Sequence, residues 1–195
     1  MQRPVSVDDI LGSQTQELRE ALHDVTTWHQ QIRLVIDRLR LVFDEGGNVF
    51  TAGNGGSATL AQHFSDEMVG RYKKERRPYP VIALTADSAV LTCIANDYGY
   101  DQVFVRQLEA LGRAGDVLIA FSTSGESANI LNACVQAQSL QMTVVGFSGP
   151  NGPLRNMCDL PVVSPTTTTA RIQELDLHAI HLICEVFDQS SPDYS

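Results

Sequence analysis

His63 and Glu67 stand four residues apart in a stretch whose pattern predicts a helix, so both side chains fall on one face. An imidazole beside a carboxylate can share a metal ion, or move a proton between substrate atoms. Spacing alone is better explained by a solvent-facing ion pair. A second set lies far downstream, in another stretch that reads as helix: Gln173, Glu174, His178 and His181. Glu174 and His178 are four apart, and His178 and His181 three apart. Either pair, or Gln173 with His181, could ligate a metal, although Gln is an uncommon ligand for zinc.

Two loops carry a different chemistry. Gly53-Asn54-Gly55-Gly56-Ser57 follows the apolar run 48–52 and opens a helical stretch. Glycines there let backbone approach a ligand, Asn54 offers a donor and an acceptor, and Ser57 is the expected helix cap. The turn lacks the Lys of a Walker loop and the third glycine of a dinucleotide fingerprint. Glu75 falls near the distance expected of a ribose-binding acid but sits in a charged loop, which discounts a dinucleotide enzyme. Ser122-Thr123-Ser124-Gly125-Glu126-Ser127 follows the run 117–121. Four hydroxyls around a glycine at a helix start can hold a phosphate with backbone N–H groups and no Lys or Arg. A plain helix cap would need only one of those serines.

The elements that must position these groups can be read from hydrophobic patterning. Apolar runs at 48–52, 81–84, 117–121, 143–147 and 160–163 alternate with helical stretches at about 57–70, 101–112, 126–140 and 171–188. The alternation predicts an α/β fold, a parallel sheet covered by helices on both faces. Continuous apolar runs suit strands buried on both sides. Residues 6–45 read as helix, opened by a Ser6–Asp9 capping box and closed at Gly46-Gly47. Val25, Trp28, Ile32, Val35, Leu39 and Val42 form an apolar seam along it, facing either the core or another subunit. We divide the chain into an N-terminal helical oligomerisation segment at 6–46 and a doubly wound sheet domain at 47–188, within one domain spanning 1–195. Pro165–Thr169 reads as a loop, and Gln189–Ser195 as a frayed tail.

The 195 residues suffice for one core without disulfides, and 43% hydrophobic against 19% charged content marks a globular chain. A net charge of −9 argues against nucleic acid. The one basic cluster, from Arg71 to Arg77, contains Glu75 and reads as a solvated loop. No run approaches the ~20 apolar residues that span a bilayer, and the N-terminus lacks a signal core, so a cytoplasmic protein is expected. Cys93, Cys134, Cys158 and Cys184 form no CxxC pair; Cys134 and Cys184 read as core residues.

Taken together, Gly53–Ser57, Ser122–Ser127, His63 with Glu67, Ala95-Asn96-Asp97, Ala170-Arg171-Ile172-Gln173-Glu174 and His181 resemble the sugar isomerase (SIS) domain, and within it the sedoheptulose 7-phosphate isomerases. The resemblance runs from about residue 15 to 188. It implies a three-layer α-β-α fold with a central parallel sheet, preceded by long N-terminal helices, in a homotetramer with active sites between subunits. It implies one zinc per subunit on His63, Glu67, Gln173 and His181. It implies substrate contacts from Asn54, Gly55, Gly56, Glu67, Asn96, Asp97, Ser122, Thr123, Ser124, Ser127 and Gln173. The implied reaction converts sedoheptulose 7-phosphate to D-glycero-D-manno-heptose 7-phosphate through an enediol, with Glu67 as base and His181 as acid. It would open nucleotide-activated heptose synthesis. A zinc-bound carboxylate is a weaker base, so either Glu67 leaves the metal when substrate binds or the metal polarises the carbonyl. Ala170 stands where several members have Asp.

Two rivals share the fold. A non-catalytic relative associates with the bacterial replication initiator, but that branch lacks counterparts of Glu67 and His181. An isomerase or sensor for another sugar phosphate would keep the serine loop, yet would not need Gln173 and His181 on the last helix.

Overall fold

The computed structural model describes residues 6–190. Five strands, β1 (Val49–Gly53), β2 (Val81–Ala83), β3 (Val117–Phe121), β4 (Thr143–Ser148) and β5 (Leu160–Val163), form one parallel sheet in the order β2-β1-β3-β4-β5. β1 and β3 are buried at every position, as their continuous apolar sequences require. All five strands fall within a residue or so of the apolar runs.

Helices α1 (Val7–Ala21), α2 (Thr26–Asp44), α3 (Gly56–Val69), α4 (Ser88–Tyr98), α5 (Val105–Leu111), α6 (Ala128–Ser139), α7 (Leu154–Met157) and α8 (Thr169–Ser190) cover it. One face of the sheet packs against α2, α3 and α8, around Trp28, Leu39, Phe64, Phe121 and Ile180. The other packs against α4, α5 and α6, around Phe50, Phe104, Leu118 and Ile130. Two cores on one sheet make the three layers expected. Among the described residues, no helix is long and apolar enough to cross a membrane.

Four expectations need correction. The single helix over 6–45 is two helices. The Ser6–Asp9 box is present, but the chain breaks after Leu22, where Asp24 Oδ1 accepts the Thr26 amide at 3.1 Å and offers the backbone an alternative to continued helix. The seam on α2 faces the core, with Trp28, Ile32, Val35, Leu39 and Val42 all buried. Apolar patterning predicts no helix at α4; Asp87 caps it by accepting from the Ala89 and Val90 amides, the local signal that marks its start. The basic cluster is not merely solvated, because Arg76 is buried. Of the expected frayed tail, Gln189 and Ser190 close α8 as helix, and the rest lies outside the described residues.

Candidate active site

The sheet order reverses its winding between β1 and β3, and both chemistry-bearing loops leave the carboxyl ends of those two neighbours. Ligands of open parallel sheets bind in such a crevice. The Gly53–Ser57 turn leads straight into α3. Gly55 stands at the cap position, no side chain caps the helix, and Ser57 is buried inside the first turn rather than capping it. At Gly56 a Cβ would lie 2.5 Å from Gln173 Nε2, so any side chain there would displace the Gln173 amide. The amide of Gln173 therefore lies directly on the backbone that opens α3.

Asn54 has a fixed orientation. Its amide exchanges two hydrogen bonds with the buried Asn129, each 2.8 Å, and its Oδ1 also accepts from the Tyr100 hydroxyl at 2.9 Å. Only one Asn54 N–H is then left to serve a ligand. Sequence marks neither Asn129 nor Tyr100, because each lies far from Asn54 in the chain and in no local pattern with it. The pair ties the glycine turn to the first turn of α6, which carries the serine loop.

In that loop Gly125 adopts φ +68°, a left-handed conformation that suits glycine. Ser122 Oγ and Ser127 Oγ lie 3.3 Å apart, and Ser124 Oγ accepts from the Glu126 amide at 3.2 Å. Ser127 occupies the cap position of α6, yet no side chain caps that helix. The serines are thus not consumed in a plain helix cap. Thr123 and Ser124 line a cleft of about 270 Å³, closed on its other side by Gly149 and by Ile172 from the first turn of α8. Asn96 and Asp97 sit exposed at the end of α4, where Asn96 Nδ2 donates to Asp97 Oδ1 at 2.7 Å.

The two titratable helices meet. His63 Nε2 lies 3.1 Å from His181 Nε2 and 3.6 Å from Glu67 Oε1. One ligand atom from each of the three residues falls within 4.8 Å of the others, all half-buried, within a single chain. Helices α3 and α8 run in the same direction: Gly56 meets Gln173 at the start of the seam, and His63 meets His181 two turns on. Asp66 Oδ1 lies 3.3 Å from His63 Nδ1, which favours the tautomer whose Nε2 lone pair points into the cluster. Tyr72 stacks on the His181 ring at 5.7 Å. Two neutral imidazoles and a carboxylate are the donor set Zn²⁺ prefers, with bonds of about 2.0–2.2 Å. Nitrogens 3.1 Å apart can both reach one such ion.

The other candidates on α8 have different partners. Glu174 accepts from Arg171 Nη2 at 2.8 Å, and Arg171 also donates to the Gln14 carbonyl at 2.8 Å, fastening α1 to α8. His178 stacks on Trp28 at 5.9 Å, and burial, with His29 and His181 nearby, lowers its pKa. Cys134 and Cys184 are buried as expected; burial pushes both thiols up to about 12, where they are inert.

Comparison with known proteins agrees with this geometry. Residues 15–149 match the SIS domain family. The chain is 48% identical, over 82% of its length and 87% of the relative's, to "Phosphoheptose isomerase 1" of Campylobacter jejuni. Its fold matches the structure of a phosphoheptose isomerase from Francisella tularensis with a TM-score of 0.90 at 34% identity, covering 95% of this chain and all of the other. A phosphoheptose isomerase from Neisseria gonorrhoeae matches at 0.82 with 36% identity, covering 94% and 100%. With its crevice at the β1–β3 switch point and its paired helices carrying His63, Glu67 and His181, the chain belongs to the SIS domain family and, within it, to the phosphoheptose isomerases.

Proposed function

We propose that the chain interconverts sedoheptulose 7-phosphate and D-glycero-D-manno-heptose 7-phosphate, with Glu67 and His181 moving the protons. The observation that carries this reading is the convergence of His63, Glu67 and His181 on one point of the α3–α8 seam. The phosphate binds in the serine loop, where Ser122, Thr123, Ser124 and Ser127 supply hydroxyls and the uncapped start of α6 supplies N–H groups. Asn54, Gly55, Gly56, Asn96, Asp97 and Gln173 bind the sugar hydroxyls.

Glu67 takes a proton from the carbon beside the carbonyl, and His181 gives one to the carbonyl oxygen, so an enediol forms. Return of a proton to the neighbouring carbon, with loss of one from the other oxygen, completes the interconversion; no oxidant is needed. His63, Glu67, Gln173 and His181 would hold a zinc ion, one per subunit. When bound, that ion polarises the substrate oxygens. The half-buried seam limits water around the exchanging protons.

The assembly we propose is a homotetramer with sites between subunits. Supporting it are apolar side chains exposed on α1 and α2, among them Val7, Leu11, Leu34 and Leu41, all more than half exposed. Four free cysteines accord with a reducing compartment such as the cytoplasm. The decisive test is turnover of sedoheptulose 7-phosphate by metal-stripped and zinc-restored protein, beside a six-carbon ketose phosphate. Activity on the heptose that zinc restores supports the reading. Preference for the hexose, or no turnover in any state, removes it. Sedimentation equilibrium at micromolar concentration tests the tetramer.

A further inference from the structure

The loop between α3 and β2 carries a buried ion pair that touches both helices of the candidate site. Arg76 Nε donates to Asp188 Oδ1 at 2.9 Å, and the two side chains are 0% and 1% exposed. The remaining guanidinium nitrogens face α3: Nη2 donates to the Glu67 carbonyl at 2.6 Å and Nη1 to the Met68 carbonyl at 2.8 Å. Those carbonyls belong to the last turn of α3, whose acceptors have no helical partner and whose dipole attracts a cation. Asp188 Oδ2 accepts the Lys73 and Lys74 amides at 2.7 and 2.8 Å, which pins the loop. Asp188 lies two turns beyond His181 on α8, and Glu67 offers its carbonyl to Arg76 while its carboxylate faces His63.

One guanidinium thus links the backbone of Glu67 to the helix that carries His181. The same pinned loop holds Tyr72 against the His181 ring. An isolated ion of either sign would be costly at this depth; paired with each other and hydrogen-bonded to backbone, the two tolerate it. Apolar packing between two helices leaves some freedom to slide or rotate, whereas a bridge aimed at two α3 carbonyls and one α8 carboxylate specifies a single relative placement.

We propose that Arg76 and Asp188 are positioning residues: their bridge sets α3 against α8 so that Glu67 and His181 meet at one point. This rests on the metal and acid–base reading above. Neither residue touches that point itself.

The test uses the full chain with Arg76→Lys, Arg76→Met and Asp188→Asn, and Val144→Ala as a control buried in the opposite core layer. Hydrogen exchange over 64–70, zinc affinity by chelator competition, and kcat with KM are measured for each. Arg76→Met and Asp188→Asn are expected to speed exchange at the end of α3, to weaken zinc binding about 10- to 100-fold as loss of a ligand-supporting partner does, and to lower kcat while KM changes less than threefold. Arg76→Lys, which keeps the charge but not the fork, should fall between them and the wild type. Val144→Ala should lower Tm without changing zinc affinity. If exchange, zinc affinity and kcat in Asp188→Asn and Arg76→Lys match the wild type, or follow Tm along the line of the control, the bridge is merely structural and the proposal fails. If wild type itself binds no zinc while exchange at 64–70 still responds to Arg76→Lys, the metal reading fails and the bridge stands.

Discussion

The serine-loop cleft and the α3–α8 seam are built on opposite plans. The serine loop is contiguous: four hydroxyls within residues 122–127 stand beside the N–H groups at the start of α6, and the rest of the cleft only closes over them. The seam is convergent: His63 and Glu67 come from one helix and His181 from another, 118 positions away from His63. A contiguous site needs only local backbone geometry to be right. A convergent one needs two helices packed in a fixed relation, and here a buried ion pair at the end of the seam reinforces it. The cleft is suited to holding an anion with fixed dipoles, and the seam to moving protons beside a cation.

That contrast predicts separable kinetics. Glu67→Gln should cut kcat about 10²- to 10⁴-fold, the usual weight of a general base, with Tm close to wild type; turnover within threefold of wild type would take Glu67 out of the chemistry. Stripping zinc should silence turnover, and stoichiometric zinc should restore it, while equilibrium binding of inorganic phosphate in the cleft stays unchanged. Equal loss of both functions would mean that cleft and seam are one unit. Ser127→Ala should act at the other end, raising KM for the sugar phosphate by about 10- to 100-fold, as loss of a hydrogen bond to a charged group of about 1.5–3 kcal/mol implies, with kcat nearly kept. A kcat effect larger than the KM effect would put Ser127 in the wrong region. Asp66→Asn should weaken zinc binding by about tenfold through His63 orientation, less than any change of a ligand.

A separate effect, on stability rather than turnover, concerns the side of α8 that carries Asp176. Asp176 is fully buried, with one oxygen 3.5 Å from Ser164 Oγ and the other unpartnered. Burial pushes its pKa up to about 8, against a small opposing pull from Ser164. The folded protein then keeps a proton that the unfolded chain releases above the ordinary carboxylate range. Stability should therefore fall as pH rises from about 4 to about 8 and level off beyond. Asp176→Asn should flatten that slope in Tm against pH; an unchanged slope would show that Asp176 does not cause it.

The sequence by itself determined the strands, the layer order and the serine loop, because these depend on apolar runs, helix periodicity and neighbouring residues. Resemblance supplied His181 as the partner of His63 and Glu67; spacing had left His178 and Glu174 equally eligible. Tertiary structure brings His181 to that pair. It gives His178 to Trp28 and Glu174 to Arg171, because all three positions share one helix and only packing decides which face meets α3. It also decided what no local pattern encodes: the Asn129 and Tyr100 contacts that orient Asn54, and the burial of Arg76 from a loop that reads as solvated. Periodicity tells which way a side chain faces along its own element, but a partner more than a few turns away in sequence is chosen by packing of the whole chain.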